Sequence, residues 1–239
     1  MDFSIILATQ NFMGLKKTLN AFERNTAFPH RLEVLLAVDT DEMAKKVESL
    51  QYSFSLKVYQ VKPSDNMSDD YINFLAAKTR GKNIGVFNDD AWVMTEDWDI
   101  IVRKKIADSG WSVYLIDFFD TTRNHDGYAW PCFPMISRKA YNAMGFFFYP
   151  QIRMWPADQY IHGLFKVAER VINCHEVRIK HDYLPVSDRS KSRWWPVFQE
   201  DKKNNKDMTI TREYISLLKA GQYDTGPRRS RIRKVLDAL

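Results

Sequence analysis

The chain has 239 residues, of which 45% are hydrophobic, 14% aromatic and 27% charged, with 9 Gly and 9 Pro. Collagen-like, low-complexity and fully disordered chains are thereby excluded, because the apolar fraction suffices for a packed core. The net charge of +5 is unevenly spread: residues 185–239 hold thirteen Lys or Arg against seven Asp or Glu, and residues 1–184 are close to neutral. Arg228-Arg229-Ser230-Arg231-Ile232-Arg233-Lys234 places five cations in seven residues. Such a patch attracts phosphate on nucleic acid, lipid headgroups or a sugar nucleotide, or else is a solvated tail. No apolar run approaches the roughly 18 residues of a membrane span. The start has neither a basic region nor a cleavage site, so no secretory signal is expected. Cys132 and Cys174 fit no zinc spacing, and a reducing, cytoplasmic setting is the simplest expectation.

Phe3 to Ala8 is a short apolar run that reads as a strand, followed by a turn at Thr9-Gln10-Asn11. Leu15, Leu19 and Phe22 then recur with helical spacing. Leu32 to Val38 is a second buried strand. A helix is predicted over 41–50, a strand over 55–61, and a helix from Ser68 to about Thr79, before Gly81. Asn83 to Phe87 is the fourth strand, ending in Asn88-Asp89-Asp90. Thr95, with Glu96 and Asp97, is expected to cap a helix whose apolar face is Trp98, Ile101, Val102 and Ile106. Trp111 to Phe118 is again strand. The second half is less regular, with a polar loop over 120–127, a strand over 132–136, a helix over 137–144 and a helix from Pro156 to about Glu169. Val171 to Lys180 reads as a strand or strand pair. A long basic loop over 185–206 contains Trp194-Trp195 and precedes a last helix over 211–220. Strands alternating with helices predict an α/β fold with a mostly parallel sheet and right-handed crossovers. The expected division is a domain over 1–184 and a basic loop, helix and tail over 185–239.

Open α/β sheets bind ligands beyond the carboxyl ends of their strands. Two acidic groups fall there, Asp39-Thr40-Asp41 and Asn88-Asp89-Asp90. Adjacent carboxylates are costly unless a cation or donor neutralises them, and such hard oxygens suit Mg²⁺ or Mn²⁺ bridging to a diphosphate. Asn and Asp also dominate simple turns, so the same residues could be turn formers.

The order of these segments resembles the GT-A fold glycosyltransferases, particularly the family-2-like inverting enzymes. Ser4 to Asn11 is similar to their first strand and nucleotide-contacting turn. Leu35 to Asp41 resembles the strand ending in a base-reading acid, and Gly81 to Asp90 the strand with the DxD-type metal signature. Cys132 to Tyr141, with Gly145, looks like the segment before the acceptor helix. The likeness spans about residues 3–182. It implies a metal-dependent transferase moving sugar from a nucleotide sugar, a UDP-sugar above all, to an acceptor hydroxyl. It implies Asp90 and His181 as ligands of Mn²⁺ or Mg²⁺, and Thr9, Asn11, Asp39, Asp41, Lys78, Arg80 and Asp89 around the nucleotide. Asp158 is the implied general base. His181 is preferred by chain position over His30, His125, His162 and His175. Trp130 and Trp155 could stack on sugar or base, or pack in the core; Arg189, Lys191 and Arg193 could close over phosphates. The usual first Asp of the signature is Asn88, and the acidic pair before the acceptor helix is reduced to Ala157-Asp158.

A Walker loop and a dinucleotide fingerprint are absent: Gly81-Lys82-Asn83 lacks the first glycine and the hydroxyl, and Thr9 to Gly14 has no G-x-G-x-x-G. The acceptor is left open between a glycan, lipid or protein and a 5-hydroxymethylpyrimidine of DNA, which would have to be flipped out. A catalytically silent nucleic-acid-binding module of the same fold is the alternative of another class.

Overall fold

The structure is a computed structural model and describes residues 1–122, 132–154 and 157–182, with short pieces at 196–197, 199–200, 215–216 and 218–219. Strand β1 (Phe3–Ala8) leads through α1 (Phe12–Asn25) to β2 (Leu32–Val38), α2 (Asp41–Glu48) and β3 (Ser55–Gln60). A π-helical stretch, Met67–Asn73, continues as α3 (Phe74–Ala76) into β4 (Asn83–Val86), the short β5 (Ala91–Val93) and α4 (Trp98–Ser109). Then follow β6 (Leu115–Asp120), β7 (Met135–Ser137), α5 (Arg138–Met144), α6 (Ala157–Val167) and β8 (Val171–His181).

The strands form one sheet in the order β3-β2-β1-β4-β7-β6-β8-β5. Pairings β3/β2, β2/β1, β1/β4 and β6/β8 are parallel, whereas β4/β7, β7/β6 and β8/β5 are antiparallel. The expected α/β class and helix-flanked, mostly parallel sheet are therefore observed. The antiparallel β7 returns the chain between β4 and β6, so those two strands end on the same edge. Strands β1 and β2 are buried on both faces, which is why their sequences are apolar without alternation. Period-two geometry sends Ile6, Leu35 and Ala37 into a core with Tyr71, Leu75, Phe147 and Phe165. Ile5, Leu7, Val34 and Leu36 face the other way, against Leu15, Phe22, Trp98 and Val102. Cys132 and Cys174 are buried free thiols, and no described helix is long and apolar enough to cross a membrane.

Several boundaries differ from the sequence reading, each for a physical reason. Thr95 does not cap α4. Its hydroxyl donates to the Glu176 carbonyl and accepts from the Arg178 amide, tying the end of β5 to β8. Asp97 precedes the helix in the left-handed region, φ 52°, without a side-chain cap. The strand placed over 111–118 begins only at Leu115 and runs on to Asp120. Val171 onward is a single strand, and the expected helix over 68–79 begins as the wider π-helix. That π-helix carries buried Asn73, whose amide donates to the Phe148 carbonyl and accepts from the Phe147 and Phe148 amides. Together with the Ser68 amide, which donates to the Arg153 carbonyl, Asn73 fixes the segment that precedes α6. Of the predicted helix over 211–220, the described residues 215–216 and 218–219 are helical.

One buried charge ties the opposite, amino edge of the sheet. Glu33 on β2 is fully buried, accepts from the Ser4 hydroxyl at 2.7 Å and the Arg80 amide at 2.6 Å, and pairs with Lys57 and Arg80 at 3.2 Å each. Burial acts to raise its pKa, but the bonds from Ser4, Arg80 and Lys57 prevail and hold it below the ordinary 4.5. Glu33→Gln is expected to cost about 2–3 kcal/mol at neutral pH, because a charged acceptor is lost among donors that remain. The folded value lies below the unfolded one, so this contribution is full above the unfolded pKa and is lost as pH falls through the folded value, below 4.5. Denaturant unfolding of both proteins across that range should show the wild-type advantage closing.

Candidate active site

The turn after β1 is latched by a residue from the loop that follows the neighbouring strand β4. Asp89 Oδ2 accepts from the Thr9 hydroxyl at 2.8 Å and from the Gln10 and Asn11 amides at 3.1 Å each. Burial is the main force raising the Asp89 pKa, offset by those three bonds and reinforced by neighbouring Asp90. Asn11 also caps α1, accepting from the Gly14 amide. Gly14 is glycine for lack of room, since a Cβ there would stand 2.4 Å from the Asp89 carbonyl and 2.6 Å from Asn11 Nδ2. Gly14→Ala is therefore expected to displace the Asp89–Asp90 loop, and a misplacement of about 1 Å at such a site can cost about 100-fold in turnover. Calorimetric titration with nucleotide should show a parallel loss of affinity.

Asp39, at the end of β2, joins the same ledge by accepting from Gln10 Nε2 at 2.7 Å. Asp41 opens α2 and accepts from Gln60 on edge strand β3. Thr9, Asn11, Asp39, Asp89 and Asp90 thus converge at the carboxyl edge. Arg80 does not join them, which corrects the expectation from sequence, and Lys78 stands over the Phe74 and Tyr59 rings. Lys78 places its ammonium 4.5 Å from the centre of the Phe74 ring, and Arg80 is held at the amino edge by Glu33. Arg80 precedes β4, and in a parallel sheet the chain entering a strand lies at the edge remote from the ligand.

At the same edge β4 and β8 bring together two residues far apart in sequence. His181 Nε2 lies 3.2 Å from Asp90 Oδ1, and the Asp182 amide donates to the Asp90 carbonyl at 2.8 Å. His181 is 4% exposed, with Phe133 edge-on at 5.1 Å. Burial alone would lower its pKa, but Asp120 and Asp90 outweigh that and raise it above the ordinary 6.5. Asp90 Oδ1 is buried without a hydrogen bond of good geometry in the structure. A carboxylate oxygen and an imidazole nitrogen that face each other at 3.2 Å fit a divalent cation with mixed oxygen and nitrogen ligands, such as Mn²⁺. Among the described residues no group of three or more His, Cys, Asp or Glu forms a complete cage. The remaining positions would fall to water and ligand oxygens, as is usual for Mg²⁺-type sites.

Asp158 is in the first turn of α6 and accepts from the Gln159 amide. Because α6 runs down to the start of β8, its first turn points toward the carboxyl edge. The other described histidines lie elsewhere: His30 is in a 3₁₀ turn, His162 is buried on α6, and His175 pairs with Asp117 at 3.2 Å. His125, Trp130, Trp155, Pro156 and the basic residues Arg189, Lys191, Arg193 and 228–234 lie outside the described residues, as does most of the predicted extension. Two residues of this region escape the sequence reading. Asp120 flanks His181, and Lys17 on α1 meets Asp182 at 3.0 Å with its ammonium 3.4 Å from the centre of the Trp92 ring.

The chain superimposes on several solved glycosyltransferases. Mannosyltransferase PcManGT from Pyrobaculum calidifontis, in complex with GDP-Man and Mn²⁺, matches with TM-score 0.62 and 12% identity, over 99% of this chain and 79% of that one. TarS 1–349 from S. aureus, in complex with UDP, matches with TM-score 0.59 and 13% identity, over 100% and 79%. GalNAc-T7 with UDP, GalNAc and Mn²⁺ matches with TM-score 0.61 and 13% identity, over 91% and 54%. The fold is that of the GT-A glycosyltransferases. No family model and no curated protein matches the sequence. In this GT-A chain the ledge formed by Thr9, Asp39 and Asp89 and the Asp90–His181 pair occupies the carboxyl edge where open α/β sheets bind ligands.

Proposed function

We propose that the protein is a metal-dependent glycosyltransferase that moves a sugar from a nucleotide sugar to an acceptor hydroxyl. The observation that carries this is the meeting of Asp90 and His181 at 3.2 Å beside the turn latched by Asp89. Solved proteins of the same fold hold UDP, UDP-GlcNAc or GDP-Man, which supports a nucleotide-sugar donor. Asp39 offers a carboxylate that can accept from a ring imino N–H, which uracil carries at N3 and guanine at N1, whereas neutral adenine and cytosine present only an exocyclic amino group and unprotonated ring nitrogens on their pairing edges. UDP-sugars and GDP-sugars are therefore the donors to try first.

Thr9, Asn11 and Asp89 shape the ledge for the ribose and diphosphate, with Asp89 itself held by its three donors. Asp90 and His181 would hold Mn²⁺ or Mg²⁺, which when bound supplies positive charge to the departing diphosphate. Asp158 would take the proton from the acceptor hydroxyl. The acceptor oxygen then forms its bond to the anomeric carbon as the bond to the diphosphate breaks, and the nucleoside diphosphate leaves with the electron pair. Attack opposite the leaving group gives inversion.

The test is release of nucleoside diphosphate from a panel of UDP- and GDP-sugars, with and without Mn²⁺. Glycans, a lipid, and duplex DNA bearing 5-hydroxymethylpyrimidine are offered as acceptors, the DNA because of the cations in residues 185–239. Metal-dependent release with at least one donor is expected. If no donor is bound or turned over while DNA binding persists, the chain is a binding module of this fold and the enzymatic reading fails.

A further inference from the structure

Strand β6 ends at Asp120, a residue to which neither the sequence motifs nor the fold's nucleotide ledge assigns a role. It is buried, 6% exposed, with Oδ2 3.6 Å from His181 Nδ1, an ion-pair separation longer than a hydrogen bond, on the side of the ring opposite Asp90. The β6–β8 register pairs Asp120 with Ile179, so the strand period returns His181 to the same face one step further on. The arrangement is fixed from several sides. Asp120 Oδ1 accepts from the Thr122 amide at 2.9 Å, the Thr122 hydroxyl donates to the His181 carbonyl at 2.8 Å, and the Thr121 amide donates to the Ile179 carbonyl at 2.9 Å. Phe133 closes the ring edge and itself stacks on Phe87 at 5.3 Å.

A neutral imidazole carries its proton on one nitrogen and a lone pair on the other. Metal-bound histidines generally donate their second N–H to a carboxylate or carbonyl, which sets both ring orientation and tautomer. We propose that Asp120 is the positioning residue of this centre: it holds the proton on His181 Nδ1, so that the Nε2 lone pair faces the metal position beside Asp90. The inference rests on the metal reading of Asp90 and His181 given above. Asp120 touches neither donor nor acceptor in this scheme and acts only through the imidazole.

The test compares wild type with Asp120→Asn, which keeps an acceptor for the Thr122 amide but removes the charge. Mn²⁺ titration in the presence of UDP, followed by electron paramagnetic resonance, should show about 10–100-fold weaker metal binding in the variant. The metal-free variant is expected to melt below wild type, because a buried charge beside His181 is lost, so metal affinity is compared at a temperature where circular dichroism shows both proteins folded. Two-bond ¹H–¹⁵N spectra of the metal-free wild type at alkaline pH supply a second readout that needs no variant, and His181 should be protonated on Nδ1. A variant that binds Mn²⁺ as tightly as wild type, or a wild-type ring protonated on Nε2, overturns the proposal. A wild type that binds neither Mn²⁺ nor nucleotide would instead overturn the transferase reading, while the tautomer still decides the role of Asp120.

Discussion

Asp90→Ala is expected to lower sugar transfer by about 10²–10³-fold, the scale of losing one electrostatic stabiliser of developing negative charge, because the cation that would neutralise the departing diphosphate loses its carboxylate ligand. The Asp90 carboxylate is partly exposed, while the Asp90 carbonyl keeps the bond from the Asp182 amide whatever the side chain. The loop should therefore survive, and the melting temperature without metal should change little. What is lost is the oxygen ligand facing His181 Nε2, so added Mn²⁺ should no longer stabilise the protein against heat in the presence of UDP. Turnover measured at saturating donor, together with that thermal shift, checks both halves of the expectation. A variant with full turnover would show that Asp90 is a turn residue and nothing more.

Asp158→Asn should lose about 10²–10⁴-fold in transfer, the span ordinarily associated with a general base. The asparagine side-chain oxygen can still accept from the Gln159 amide, so the first turn of α6 keeps its bond. The contrast with Asp90→Ala lies in binding. Donor and Mn²⁺ affinity should be unchanged in Asp158→Asn, because the bonds that latch Asp89 and pair Asp90 with His181 do not involve Asp158. Steady-state kinetics with an accepted acceptor, beside calorimetric titration of nucleotide, separates the two variants. Equal loss of binding in both would place Asp158 in the donor site and remove it as the base.

Much of the sheet was legible because β1 and β2 are buried on both faces, and uninterrupted runs such as Leu32–Val38 have few other uses. The rule that ligands meet the carboxyl ends of strands then led to Asp39, Asp89 and Asp90, and the structure does gather them. Only the resemblance implied Arg80, with Lys78, near the nucleotide; the rule itself sets Arg80 apart, because it lies on the chain entering β4, where Glu33 holds it. Asp120 obeys the rule and was missed for a local reason. Placing the strand over 111–118 left that carboxylate in a loop, whereas β6 runs to Asp120 and ends there. Strand β5 is three residues long and too short for any period to show, yet its pairing with β8 sets Ala91 opposite His181. Pairing between distant segments, such as Thr95 with Arg178, carries no local signature at all.

The central claim is that one cation and one nucleoside diphosphate share the carboxyl edge of this sheet. A crystal grown with UDP and Mn²⁺ and measured for anomalous scattering tests it directly. A manganese peak is expected in contact with Asp90 and His181, bridged to the diphosphate, with the uracil near Asp39. Manganese bound elsewhere, or UDP seated away from the Asp89 turn while Asp90 and His181 stay paired with each other, would contradict it.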